Sequence, residues 1–398
     1  MNKKIVIIAT VFIDVLGMGI IIPTLPFYVE SFGVSAFTVT LLFSVFAFFS
    51  FFSAPLIGSW SDKIGRRPVM ILSICSTAIG WLVFASAHSV LFLFIGRIID
   101  GLAAGNFSTA QSYLTDIAKD EQERTKNLGI IGAVFGVAFV LGPAIGGLLS
   151  QISPTFPFWF VGTLAALNAV NAYFNLPESH LNKNSEHKIS LNPLVPIARI
   201  VKDKKFLTSF TVWFLFGLAI SMQQSIFALY LGKVFNYGAT ASGVFMTAVG
   251  VIIILNQGWL LPKFWLKKFK ERNLEIFMTA VFAVGFLLSA SSSLSIFILG
   301  LLGITFAQSV LRVVFTSQIA GQSGNRKGEV LGALTSVMSL AMIIGPLTAG
   351  ALFVNHHTWP FIISGLLSLI AFAILYHQRS QLTKFDQSLQ PFNDQSII

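Results

Sequence analysis

Four ionisable side chains stand inside stretches that are otherwise long and apolar enough to cross a membrane: Asp14, Arg97, Asp100 and Arg312. A charge at the centre of a membrane helix costs about 2.5–3.5 kcal/mol on insertion scales, so each must face a partner, a cavity or a transported ion. Asp14 is the only deep acid of its stretch, IDVLGMGIIIPTLPFYVE. A carboxyl there can take a proton when water is excluded and return it when water enters. The structural alternative is a carboxyl held permanently by neighbouring helices. Arg97 and Asp100 are three apart in GRIIDGLAAGNFSTAQSYLTD, the spacing at which two side chains meet on a helix. Ala104, Ser108, Gln111 and Thr115 continue the same face. Arginine cannot release its own proton, so Arg97 can only bias Asp100 or Asp14, hold a water, or form a permanent salt bridge. Arg312 shares a face with Thr305, Gln308 and Thr316 and has no acid nearby in its own stretch. It must pair across the bundle, face water, or meet an anionic group. Gln223 and Gln224 in SMQQSIFALY add neutral polar groups, and Phe46, Phe107, Phe227 and Phe306 lie beside polar positions where a ring could meet an amphipathic solute or a cation.

The elements that must position these groups are membrane helices. The chain has 398 residues, 55% hydrophobic and only 11% charged, far below the roughly 25% charge of a soluble domain. Twelve apolar spans are expected near 5–29, 38–60, 68–88, 91–115, 127–150, 155–175, 206–232, 240–262, 273–290, 294–320, 329–353 and 358–377. Placing the N-terminus inside puts 23 of the 26 Lys and Arg residues in cytoplasmic segments. The net charge of +10 therefore reports topology and contact with the bilayer surface, not nucleic acid. The opening run after Lys3 and Lys4 is long, contains Asp14 and lacks a small-residue cleavage site, so it is expected to be retained. A single cysteine, Cys75, excludes an internal disulfide.

Residues 129–150, GIIGAVFGVAFVLGPAIGGLLS, contain seven glycines and prolines. Gly129, Gly132, Gly136, Pro143 and Gly147 fall on one face, and the pairs Gly132/Gly136 and Gly142/Gly146 allow another backbone to come close. The two halves of the chain echo each other at an offset of 203: Gly142-Pro143 with Gly345-Pro346, Gly147 with Gly350, Pro157-Phe158 with Pro360-Phe361, Gly162 with Gly365. Between them, residues 176–205 break the hydrophobic pattern with PESHLNKNSEHK and a basic run. The first basic turn reads Gly58-SWS-Asp62-KI-Gly65-Arg66-Arg67-Pro68.

These features resemble the major facilitator superfamily. The turn matches its G-x-x-x-D-x-x-G-R-[RK] signature, and GAVFGVAFVLGPAIGG looks like its fifth-helix antiporter signature. D-x-x-G-x-G…P-x-x-P around Asp14 and the run through DIAKDEQERTKNLGIIGAVFG resemble the twelve-helix drug–proton antiporters, closest to the tetracycline-exporter branch. The resemblance implies an all-α polytopic membrane protein with twelve transmembrane helices in two six-helix bundles, 1–175 and 206–378, a cytoplasmic linker 176–205 and a tail 379–398. It implies a gating latch of Gly58, Asp62, Gly65, Arg66 and Arg67 acting against the start of the eleventh helix near Gly328, and an antiporter helix built on Gly132, Gly136, Gly142, Pro143, Gly146 and Gly147. Proton coupling falls on Asp14, Arg97 and Asp100, since Arg97 stands at the family's fourth-helix arginine. Gln111, Gln223, Gln224, Gln308, Arg312 and Phe227 are expected in the substrate cavity. The second half departs from the tetracycline exporters: its matching turn lacks the acid, and its ninth helix has no interior acid.

The expected function is proton-coupled export of small amphipathic compounds by alternating access. It would operate as a monomer in a bacterial inner or plasma membrane, both termini cytoplasmic, with substrate, protons and bilayer as partners. The alternatives are export of a metabolite such as a sugar, siderophore or amino-acid derivative, or a non-transporting receptor or scaffold, against which the intramembrane charges argue. No nucleotide loop, metal-spaced Cys/His cluster or catalytic triad is evident, so neither an enzyme nor a cofactor or metal is expected.

Overall fold

The computed structural model describes residues 3–102, 104–179, 203–323 and 326–393, and those residues are helical apart from short turns. The helices are α1 (Lys3–Glu30), α2 (Ala36–Ile64), α3 (Arg66–Ala85), α4 (Val90–Leu102), α5 (Asn106–Asp116), α6 (Glu121–Leu149), α7 (Phe156–Asn175), α8 (Lys204–Phe235) and α9 (Ala239–Leu255). A π-helical stretch, Asn256–Trp265, carries α9 into the short α10 (Leu266–Lys268), followed by α11 (Glu271–Ser289), α12 (Leu294–Gln322), α13 (Lys327–Asn355) and α14 (Trp359–Asn393). Among the described residues, eleven helical stretches are long and apolar enough to cross a membrane. The remaining expected span, α7, has 20 residues but carries Asn168, Asn171 and Asn175, which lower its hydropathy.

Two helix boundaries bear on the site and the tail. The fourth span is broken between Leu102 and Asn106, so Arg97 and Asp100 ride on α4 while Gln111 and Thr115 ride on α5. The break falls at Gly105, against which Ile57 of α2 is pressed. The final helix continues to Asn393 through the stretch expected to be a tail. Most of the expected linker, residues 180–202, lies outside the described residues, as do 394–398.

Short connections make successive spans antiparallel. Lys4 bonds Glu123 (2.6 Å) and Arg66 bonds Asp116 (3.1 Å), gathering the starts of α1, α3 and α6 with the end of α5 at one end of the molecule, called the basic end. Glu30 and Lys233 pair at the opposite end (3.1 Å). Helices α1–α7 form one group and α8–α14 the other, but across the groups α2 packs on α13 and α6 on α9 as extensively as neighbours within a group. At the far end each group holds a buried aromatic knot. Tyr28, Phe84 and Phe158 form one, with ring centroids 5.0–5.7 Å apart; Tyr230, Phe297 and Phe361 form the other, at 4.8–6.1 Å. The Tyr28 hydroxyl donates to the carbonyl of Phe84, and that of Tyr230 to the carbonyl of Ser291, so neither polar tip is stranded.

The 203-residue echo is spatial as well as sequential. Gly142 of α6 lies against Gly19 of α1, and Gly345 of α13 lies against Ser221 and Met222 of α8. Gly147 of α6 abuts Thr240 of α9, and Gly350 of α13 abuts Phe37 and Thr40 of α2. Residues 19 and 222, like 37 and 240, differ by the same 203, so the glycines make matching contacts in both groups and across them.

The two groups meet only in part. At the far end Thr240 donates to the carbonyl of Gly147 (2.9 Å), Thr247 to that of Val140 (3.3 Å) and Ser44 to that of Ile343 (2.8 Å). A methyl added at Gly250 would meet Val140 at 2.9 Å, and one at Gly136 would meet Ile254 at only 3.7 Å. Further toward the basic end, Gly58, Gly129, Gly132, Gly258 and Gly332 have nothing within 4 Å of an added methyl. The helices therefore splay: sealed at the far end, open at the basic end.

Candidate proton-coupling and substrate site

Asp14 sits eleven residues into α1, about 16 Å along its axis from Lys3. It is half-buried, and Met18, one turn on, is 45% exposed, so this face of α1 borders the open space. The carboxyl lies beside the amide of Asn106 on α5 and within electrostatic reach of Asp100. Among the described residues no lysine or arginine forms an ion pair with it.

Asp100 and Arg97 are both buried on α4 and paired at 2.9 Å. The short spacing expected to join them does so. The guanidinium is caged by rings, 4.1 Å from the centroid of Trp81, 5.1 Å from Phe46 and 5.5 Å from Phe84. Thr77 of α3 stands beside Asp100. Close packing of α3 on α4 at Gly80 and Gly96 brings these groups together, because an added methyl at Gly80 would lie 2.9 Å from Asp100. Arg97 Nε and Asn106 Oδ1 are buried without a hydrogen-bond partner. Such atoms in a polar pocket are where ordered water fits.

The basic turn is tied to its own group of helices. Arg66 pairs with Asp62 (2.7 Å) and with Asp116 (3.1 Å). The carboxylate of Glu178 accepts from the backbone N–H of Arg66 (2.9 Å) and Arg67 (3.3 Å), placing an anion at the start of α3. Glu178, not Asp62 of the same turn, holds the start of α3. Gly65 has φ of +112° and Glu178 fills the space a side chain would need, so only glycine fits. Arg67 donates to the carbonyl of Tyr173 (2.7 Å). Asp116 thus helps to order this turn through Arg66. Gly58 has nothing within 4 Å of an added methyl, so no other helix packs closely on it. Where α13 begins, Arg326 donates to Glu329 (3.0 Å) and Asp203 (3.1 Å), and the two carboxylates hold its guanidinium above its ordinary pKa.

Gln111, Gln223, Gln224 and Gln308 are half-buried and Arg312 is exposed. Phe227, expected in the cavity, is buried instead, its ring 6.3 Å from Phe297 in the far-end core. Phe46 serves Arg97 rather than a solute. On the antiporter helix, Gly142 and Gly146 receive α1, Gly147 and Pro143 receive α9, and Gly132 lies at the splayed end. Asn106, Glu178 and the ring cage were not foreseen from the sequence. The one visible signal was Glu178 in the PES run that ends the sixth span.

A membrane-depth carboxyl beside a neutralised ion pair, in helices sealed at one end and open at the other, is the architecture of a solute carrier. The model of the Major Facilitator Superfamily matches residues 7–267 and 263–392, and the chain belongs to that family of secondary transporters. It is 25% identical to multidrug resistance protein 2 of Bacillus subtilis over 377 residues, covering 93% of each chain. It is 29% identical to the class C tetracycline resistance protein of Escherichia coli, covering 90% of this chain and 91% of that one. The solved nucleoside transporter NupG superposes with a TM-score of 0.77 at 14% identity, covering 94% of this chain and 99% of that one. The protein is thus a multi-pass membrane transporter of small molecules, not an enzyme.

Proposed function

We propose that this transporter exports small amphipathic compounds in exchange for protons, in a bacterial plasma membrane with the basic end cytoplasmic and as a monomer. The observation that carries the reading is Asp14: a carboxyl at membrane depth, bordering the open space, with no cation paired to it among the described residues. Its charge is free to change with protonation, whereas that of Asp100 is matched by Arg97. Residues 1–175 and 206–378 act as two bodies that rock about their glycine contacts. The splayed basic end is then the cytoplasm-facing state, and the sealed far end opens in the other. Protonation can drive such a cycle only by binding the two states unequally. The drug-resistance relatives support compounds of that kind as cargo.

The test is proton movement in inside-out vesicles with an acidic lumen, challenged with a panel of amphipathic drugs and metabolites. Compound-triggered proton efflux supports exchange; its absence across the panel counts against it. In this reading the Asp62–Arg66 pair belongs to a latch that engages the start of α13 when the basic end closes. Asp62→Asn is therefore expected to slow turnover roughly three- to tenfold, the rate equivalent of about 1 kcal/mol from one half-exposed ion pair, with binding little changed. Steady-state kinetics separate the two, and an unaltered turnover number would remove the latch role.

A further inference from the structure

Arg312 is a cation at membrane depth that is exposed, and among the described residues it has no ion-pair partner. It lies ten residues from the basic end of α12, about 15 Å along the axis and close to the depth of Asp14 in α1. Its direction follows from its neighbours. Ser309, three residues earlier, is bonded to Asn256 at the end of α9 (2.6 Å). Phe315, three later, packs on Trp213 and Phe216 of α8, with ring centroids at 6.1 and 5.5 Å. At about 100° per residue these positions flank Arg312 by roughly 60° on either side. The guanidinium therefore leaves α12 between α8 and α9, the two helices of its half that also touch α1. It points into the space shared by the halves, not into lipid.

Nothing in its own half neutralises it. Residues 206–378 contain three acids, Glu271, Glu275 and Glu329. All stand near the basic ends of their helices, with Glu275 bonded to Arg272 (2.9 Å) and Glu329 to Arg326 (3.0 Å). On the facing half, the deep pair Asp100–Arg97 is internally balanced, and Asp14, the one other deep acid there, forms no ion pair with Arg312 among the described residues. A guanidinium so placed presents a planar fork of donors matched to a carboxylate, and it sheds water more readily than an ammonium. Gln308, one turn along the same face, adds a neutral donor. Met18 and Phe107 are exposed apolar surface on the opposite half, where the body of an amphipathic molecule can lie.

We propose that Arg312 binds an acidic group of the transported compound, so that the substrate class is amphipathic organic acids. This rests on the export reading above for its cavity, but it concerns the charge of the cargo rather than its coupling to protons.

The test is equilibrium binding of matched pairs to the purified full chain in lipid nanodiscs: 2-naphthylacetic, 4-biphenylacetic and 4-phenylbutyric acids, each against its primary amide. The acids are expected to bind more tightly than the amides by roughly 10- to 100-fold, as for a charge-assisted hydrogen bond. Arg312→Gln should remove that preference, weakening acid binding far more than amide binding. Arg312→Lys should restore part of it, which a merely structural arginine would not do. Equal binding of acid and amide by the wild type, a preference kept in Arg312→Gln, or no saturable acid binding would each overturn the proposal. Proton exchange triggered without any acid preference would leave export standing and remove this inference. Acid-selective binding with no proton exchange would do the reverse.

Discussion

Asp14→Asn is expected to insert and fold like the wild type and to lose proton-coupled transport outright. The two halves of that expectation have separate physical grounds. Asparagine keeps the shape of the side chain, and no cation is paired with Asp14 that would be left stranded. Removing the charge also removes repulsion with Asp100. Stability should therefore change by no more than about 1 kcal/mol, as for substitutions that neither open a cavity nor bury an unpaired charge. Coupling is lost because the remaining deep carboxyl, Asp100, is already matched by Arg97 at 2.9 Å. Thermal unfolding and compound-driven proton flux on the same preparation check both. A well-folded variant with unchanged coupled flux would exclude Asp14 as the proton carrier.

Arg97→Ala is expected to do the opposite: to damage the fold first. It leaves the Asp100 carboxyl buried with no cation beside it, a change that typically costs about 3–5 kcal/mol. It also empties a cage formed by Trp81, Phe46 and Phe84, which the guanidinium fills. Low yield and a markedly lower unfolding temperature should follow. Adding Asp100→Asn to Arg97→Ala should recover part of the loss, because the stranded charge is then gone. A single variant as stable as the wild type would show that Asp100 finds another partner or takes up a proton at little cost.

Much of this arrangement was legible in the sequence because it is local. The spans follow from runs of apolar residues, and the Arg97–Asp100 pair follows from a three-residue spacing within α4. The contacts of Gly142, Gly147, Gly345 and Gly350 were legible because the 203-residue echo repeats them: Gly147 on Thr240 and Gly350 on Phe37 are one contact made twice, whereas the Gly132/Gly136 pair, expected to admit another backbone, meets only the Ile254 side chain. What the sequence did not yield depends on which helices become neighbours. Asn106 reaches Asp14 from a helix more than ninety residues away, just after the break at Gly105 in the fourth span. Glu178 finds the start of α3 across 112 residues. Phe227 was expected in the cavity from its place beside Gln223 and Gln224. The far-end aromatic knot claims it instead, and no one-dimensional pattern distinguishes a packing ring from a binding one. The π-helical turn at Asn256–Trp265 is held by Asn256, which donates to Ser309 and accepts from Trp265, so it too depends on a partner helix.

The most direct test of proton exchange uses purified protein in liposomes with no initial pH gradient, an internal pH dye, and an outward gradient of a compound that triggers exchange in the vesicle assay. The account predicts that the compound leaving the lumen draws protons inward against their own developing gradient, and that Asp14→Asn abolishes the proton movement. Compound flux at the wild-type rate with no proton movement would contradict it and make the protein a uniporter.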